Sequence, residues 1–344
     1  MNSRERVLTA FAHEEPDRTP CWCGSSAEFW AKAKTELGLD DEGLLQRLGD
    51  DFRRVFSKAP NAVTAEGALR TPFGVERTGL GWGQPTSHPL IDATVQDVLD
   101  FAWPDPSLVD VSHIRDETLA YEGQYAILGG EWSPFWHDLI DLLGMENACL
   151  KMILDPELID ATLQGIVDYY AAVSQRIFDE AGDAIDVFFI GNDFGSQRGP
   201  LISEEMFRRF LMPHLARLID LGHDYDMKVM LHCCGGVAEL IPAMIEVGLD
   251  GIHALQPCCE TMDPRHLKET FGDKILMNGA VDSHHTLIEG TPESVRDQTR
   301  EILKIMMPGG GYIAGASHDS ILEETPLENI LAMFDAIREF GVYR

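Results

Sequence analysis

Lys228-Val229-Met230-Leu231-His232-Cys233-Cys234-Gly235-Gly236 is a short apolar run that ends in coordinating side chains and a pair of glycines. It reads as a β-strand running into a tight turn. Alternate side chains of a strand share a face, so His232 and Cys234 point one way and Cys233 the other. An imidazole and a thiolate converging just past a strand end are two of the ligands that zinc prefers. Zinc needs three or four protein ligands. His318, just past the last apolar run of the chain, is the best-placed third, with Gln256 or a water completing the shell.

Runs of the same kind recur at 19–23, 51–55, 125–129, 187–191, 251–255, 275–278 and 311–315, which makes eight with 228–231. Amphipathic stretches such as 157–180, 204–221, 237–247 and 291–307 lie between most of them. Strand alternating with helix predicts an α/β protein with a parallel sheet. Eight such units in 344 residues fit a (β/α)8 TIM barrel. An open doubly wound sheet is the rival, but it calls for a glycine-rich phosphate loop after an early strand. Cys21-Trp22-Cys23-Gly24-Ser25-Ser26 is not one. Gly and Thr enrichment around Pro72-Phe73-Gly74 predicts a small β-hairpin insertion near residues 65–90. With no low-complexity linker and no fixed repeat, residues 1–344 are expected to form a single domain.

Bulk composition narrows the classes. At 44% hydrophobic and 24% charged the chain is ordinary for a globular protein. It has no apolar run of about 18 residues, so no membrane span is expected. Met1-Asn2-Ser3-Arg4-Glu5-Arg6-Val7-Leu8 lacks the apolar core of a signal peptide and reads as helix, which predicts a cytoplasmic protein. Its seven cysteines form no spaced disulfide framework and are expected to be buried, metal-bound or catalytic. A net charge of −30 opposes nucleic acid, anionic membranes and any polycarboxylate substrate without a local arginine cluster.

In a barrel the chemistry gathers where strands finish. Reading those places gives Cys21 and Cys23, Glu131, Asn192 and Asp193, His232 and Cys234, Gln256, Asn278 to Asp282, and Ser317 with His318. Random surface loops offer mostly Lys and Glu; these offer His, Cys, Asn, Gln and Asp, which points to an enzyme. The other candidates have plainer readings. Cys21 and Cys23 serve as small buried hydrophobes. Cys258 and Cys259 follow Pro257 in a loop, where adjacent thiols diverge. His284 and His285 open a helix near Asp282, exposed or touching substrate. His137, among Trp132, Phe135 and Trp136, is expected to pack.

Gly191-Asn192-Asp193-Phe194-Gly195, Gly199-Pro200-Leu201-Ile202-Ser203, Pro213-His214-Leu215 and Met277-Asn278-Gly279-Ala280-Val281-Asp282 resemble the uroporphyrinogen decarboxylase superfamily. So do Gly290-Thr291-Pro292, Pro308-Gly309-Gly310-Gly311-Tyr312 and Thr325-Pro326-Leu327-Glu328-Asn329. The resemblance covers essentially the full length and implies the (β/α)8 barrel. True decarboxylases of that superfamily carry an arginine-rich stretch after the first strand that holds the porphyrinogen carboxylates. Here the place reads Cys21-Trp22-Cys23-Gly24-Ser25-Ser26-Ala27-Glu28-Phe29-Trp30, with no arginine.

The other branch transfers methyl groups between a corrinoid protein and a thiol or related acceptor. It binds zinc through His-x-Cys at the fifth strand and a Cys at the eighth. His232 and Cys234 match the first part, whereas Ala314-Gly315-Ala316-Ser317-His318-Asp319 replaces the last cysteine. The resemblance therefore implies a methyltransferase with zinc on His232, Cys234 and His318. Its partner would be a corrinoid protein, its substrate a small molecule and its assembly a homodimer. Asp193 takes the catalytic role, with Glu131 hydrogen-bonding substrate. Asn192, Gln256, Asp282, Trp22 and Trp136 complete the substrate-binding set. A metal-free lyase acting on a smaller carboxylic acid, with Arg198 as its cation, is the alternative. A corrinoid-binding protein without turnover is a third reading.

Overall fold

A computed structural model of the protein describes residues 1–58, 61–65, 67–79 and 82–343. Seven strands pair side by side in chain order, all parallel. They are β1 (Phe52–Arg54), β2 (Ala126–Gly129), β3 (Val187–Gly191), β4 (Lys228–His232), β5 (Gly251–Leu255), β6 (Leu276–Val281) and β7 (Tyr312–Ala316). The register sets Gly191 of β3 opposite His232 of β4, and His232 opposite His253 of β5.

The expected first strand at 19–23 is present only as a single bridge, Cys21 to Ala314. Even so, it lies between the sheet's two edges. Ala314 N donates to Pro20 O (2.8 Å), Trp22 N to Ala314 O (2.9 Å) and Asp51 N to Cys21 O (3.0 Å). A full ladder fails because Cys21 N and Cys23 N donate to the carboxylates of Asp51 (2.8 Å) and Asp50 (3.1 Å) instead of to main-chain carbonyls. The result is a curled, TIM-barrel-like α/β sheet.

The barrel-like interior holds a compact apolar set including Trp22, Phe52, Leu128, Phe189, Met230 and Ile313. Val7, Ala10 and Phe11 of the helix Ser3–Phe11 join it and stopper the end where the strands begin. Asn2 and Glu5 close that helix's start with a capping box. A larger apolar layer lies outside the strands, under the helices.

The insertion is richer than the expected hairpin. Four short strands, Ala62–Val63, Leu69–Arg70, Glu76–Thr78 and Gln84–Pro85, form an antiparallel meander. Residues 66, 80 and 81 of the expected span lie outside the described residues. The helix expected over 157–180 runs Pro156–Ala181. The one expected over 204–221 contains a wide turn at Phe207–Leu211. Pro213 has no N–H to offer the Arg209 carbonyl, so regular hydrogen bonding cannot pass that point. Among the described residues, no helix is long and apolar enough to cross a membrane.

Candidate functional site

β4 delivers Met230 to the inner core and, two residues on, His232 to the same face, while Val229, Leu231 and Cys233 pack outward. The turn after the strand then returns Cys234 to the His232 side, with Cys234 Sγ 3.3 Å from His232 Nε2. That turn needs Gly235, whose φ is +90° and where a Cβ would lie 2.4 Å from the Gly195 backbone. Gln256 holds it, accepting from Gly235 N at 2.9 Å.

Asp193, just beyond β3, completes the group. Its Oδ1 lies 3.4 Å from His232 Nε2 and accepts Cys234 N at 2.8 Å, and its Oδ2 lies 3.3 Å from His137 Nε2. One ligand atom each from Asp193, His232 and Cys234 falls within 4.8 Å of the other two. Burial would raise the Asp193 carboxyl, but hydrogen bonds from His137 and His232 hold it well below the ordinary carboxylate range. Burial opposes charge on His232 too, and Asp193 outweighs it and raises the imidazole. Burial and the adjacent Asp193 push the Cys234 thiol up.

A second imidazole stands behind the first. His253 is fully buried, and its Nδ1 meets His232 Nδ1 at 3.0 Å. Its Nε2 faces Asp319 Oδ1 at 3.7 Å, and Trp22 Nε1 donates to the same oxygen at 3.2 Å. Gly24 makes this possible, because a Cβ there would sit 2.1 Å from the Asp319 main chain. Burial holds the His253 imidazole well below its ordinary value, so it is neutral.

Of these groups, His137, Asp193, His232 and Asp319 open onto a cavity of about 580 Å³. Trp132 forms one wall, its ring 5.4 Å from that of His232. Gly191 leaves it room, since a Cβ there would fall 2.0 Å from the indole. Glu131 and the helix Phe135–Leu143 contribute the next side through His137, Asp138 and Asp141. The insertion supplies Phe73, Arg77 and Trp82. Tyr170 Oη donates to Asp138 Oδ2, and burial raises the Asp138 carboxyl to about 7 despite that bond. Burial also raises Glu131, which accepts from Ser57 Oγ.

The expected site residues fall into two sets. His232, Cys234 and Asp193 converge, and Glu131 and His318 line the same cavity. The His318 ring stands edge-on to His232 at 6.3 Å, its Nδ1 accepting from Ser320 N at 3.0 Å. The others lie elsewhere. Asn192 is fully buried and spends its amide on Trp136 N (2.8 Å) and Ser133 O (3.1 Å). Asp282 accepts from His284 N and His285 N at the start of the turn Ser283–Ile288. Trp136 is buried under the helices and Trp22 inside the barrel. Gln256 borders a neighbouring pocket of about 220 Å³.

His137 does not pack among the aromatics as expected but faces the cavity. His284 and His285 are exposed beside Glu289. His253, Asp138 and Asp319 were not anticipated. Two of them had a signal: His253 is a polar residue on the inward parity of an apolar strand in register with His232, and Asp138 interrupts a strongly apolar helix.

The profile of the family described as uroporphyrinogen decarboxylase (URO-D) matches residues 92–340. The Methylated-thiol--coenzyme M methyltransferase of Methanosarcina mazei is 25% identical over 274 residues, covering 77% of this chain and 69% of that protein. Methylcobamide:CoM methyltransferase MtbA of Methanosarcina acetivorans is 22% identical, covering 98% of each. A uroporphyrinogen decarboxylase of Magnetococcus marinus is also 22% identical, covering 99% of this chain and 98% of its own. A solved methyltransferase from Methanosarcina mazei shares the fold, with a TM-score of 0.70 at 21% identity over 99% of each chain. The matched family segment carries β2 to β7 and with them Asp193, His232, Cys234 and His318, so this chain belongs to the uroporphyrinogen decarboxylase family.

Proposed function

We propose that the protein is a methyltransferase that moves a methyl group between a corrinoid, carried by a partner protein, and a small molecule. The observation that carries this reading is the convergence of Asp193, His232 and Cys234 on one point, with Asp193 and His232 lining the cavity. Ligands bonded to zinc at about 2.0–2.3 Å and spread tetrahedrally sit roughly 3.5 Å apart. The 3.3 Å and 3.4 Å separations around His232 Nε2 match that spacing. A nitrogen, a sulfur and an oxygen also form a donor set that suits the ion. Asp193 would then be the third protein ligand in place of His318, which the resemblance implied and whose ring stands 6.3 Å from that of His232.

Bound there, zinc would supply a Lewis acid beside the group that gives up or takes the methyl. The chain's own residues do the rest. His137 fixes Asp193 through Oδ2, and Gln256 holds the turn that carries Cys234. Trp132 and Tyr169 give the cavity aromatic surface. The relatives named as methyltransferases support the same direction. The lyase alternative finds less support, since Arg198 is exposed and does not line the cavity. The reading takes the protein as cytoplasmic and, as the resemblance implied, a homodimer.

Protein purified without chelator should carry about one zinc per chain and lose it in Cys234→Ser. It should also demethylate free methylcobalamin in the presence of a thiol, seen as loss of the methylcobalamin spectrum. Metal-free protein from zinc-replete cells, with no such turnover, would end this reading.

A further inference from the structure

The cavity is biased in charge and in wall chemistry. Five of its described lining residues are carboxylic: Glu131, Asp138, Asp141, Asp193 and Asp319. Arg77 is the one guanidinium among them, and it is committed to Asp141 and to the carbonyls of Trp82 (3.0 Å) and Gly83 (2.8 Å). Asp193 is answered by two imidazoles. That leaves three carboxyls whose hydrogen-bond donors are neutral: the Ser57 hydroxyl for Glu131, the Tyr170 hydroxyl for Asp138 and the Trp22 indole for Asp319. Neutral donors orient a carboxylate without cancelling its charge.

The walls between these groups are aromatic. Phe73, Tyr169 and Tyr170 pack edge to face with centroids 5.3–5.7 Å apart. Trp132 belongs to the same cavity lining, and Trp82, 57% exposed, stands on it as well. Aromatic faces beside uncompensated carboxylates suit one kind of guest, a diffuse cation with an apolar surface. A carboxylate or sulfonate would meet carboxyl groups hydrogen-bonded only by neutral donors, and among the described lining residues the one guanidinium is already paired with Asp141.

We infer that the small molecule whose methyl group is exchanged is an N-methylated ammonium cation, held by aromatic faces of this cavity and by Glu131, Asp138 and Asp319. The inference rests on the methyl-transfer reading for its chemistry and on the cavity alone for its recognition. In the demethylating direction the C–N bond breaks with its electron pair left on nitrogen, giving a neutral amine. A cobalt(I) corrinoid brought by the partner supplies both electrons of the new methyl–cobalt bond. The positive charge of the substrate passes to the methylated cobalt(III) corrin, whose cobalt(I) form is a neutral core, so charge and electrons balance with no further oxidant, reductant or proton.

The test is a pair of isosteres, choline and uncharged 3,3-dimethylbutan-1-ol, titrated by calorimetry into the wild-type protein at pH 8 with 2-mercaptoethanesulfonate as the anionic comparison. Choline should bind at least about tenfold tighter than the neutral alcohol, since only the charge separates them. Trp132→Leu and Glu131→Gln should each shrink that ratio while leaving alcohol affinity within about twofold. Equal binding of the isosteres, or tighter binding of the sulfonate, overturns the inference, and this comparison holds even if a variant fails to fold. The outcome is separable from that of the methylcobalamin assay. Turnover without cation preference sinks only the inference, whereas cation preference without turnover sinks only the methyltransferase reading.

Discussion

Both ends of the sheet bury carboxylates, and they treat them in opposite ways. Where the strands begin, Asp51, Asp186 and Asp250 each staple a neighbouring segment through its backbone and are each matched by base. Asp51 accepts Cys21 N and pairs with Arg6 and Arg18, each at 2.8 Å. Asp186 accepts Ile127 N at 3.0 Å and pairs with Arg4 at 2.8 Å. Asp250 accepts Val229 N at 2.9 Å and meets Lys228 (2.9 Å) and His223 (2.7 Å). Where the strands end, Glu131, Asp138 and Asp319 have hydroxyl and indole donors instead. Compensated charge belongs to the fold. Uncompensated charge in a cavity is a cost to folding that makes sense only if something else answers it.

The sharpest way to break this contrast is to delete one carboxylate at each end. Asp51→Ala leaves the half-buried Arg18 without its carboxylate, takes from the buried Arg6 one of its two carboxylate partners and frees a backbone N–H, so it should cost about 3–5 kcal/mol in urea unfolding. Asp138→Asn keeps the shape and can still accept from Tyr170. At pH 5 it should cost less than about 1 kcal/mol. If the two variants lose equal stability, the two ends are not different in kind.

Asp138 also carries a pH signature. Burial raises its carboxyl from 3.8 to about 7, with Asp141 adding to the rise while the Tyr170 hydrogen bond, His137 and Arg77 oppose it. The folded state therefore holds a proton that the unfolded chain has released, and stability falls as pH rises through this window. Between pH 5 and 7 the loss attributable to Asp138 is about 2 kcal/mol. Asp138→Asn should remove that slope and leave the remainder of the profile in place. A variant that tracks the wild-type profile across those two pH units would show that Asp138 is ionised throughout.

Most of the scaffold was legible in the sequence because it rests on local pattern. The strands at 187–191 and 251–255 match residue for residue, since continuous apolar runs between helices leave little choice. The segment at 19–23 was misread as a regular strand because its N–H groups are taken by Asp50 and Asp51, some thirty residues on. No local pattern announces that. The site divides along the same line. His232 and Cys234 follow from strand parity and Asp193 from its place after β3, whereas the roles of Asn192 and Asp282 depend on which backbone groups the fold brings near. Arg77, Phe73 and Trp82 come from an insertion whose seat over the cavity only tertiary structure reveals.

His253 offers the finest test, because it concerns orientation and not charge. If His232 Nε2 is to face the Cys234 and Asp193 ligand atoms, its proton must sit on Nδ1, and among the described residues the atom placed to receive it there is His253 Nδ1 at 3.0 Å. That in turn puts the second proton of the relay on His253 Nε2, facing Asp319. His253→Leu keeps the bulk but removes the acceptor, leaving the His232 N–H buried and unpaired. Partners of this kind fix ligand tautomer and ring angle, so zinc affinity measured against a competing chelator should fall about tenfold. A merely structural role for His253 would lower the melting temperature without moving that ratio, as Asp51→Ala is expected to do from the opposite end of the sheet. Zinc held equally tightly by folded His253→Leu and wild type would show that the relay plays no part in orienting the ligand.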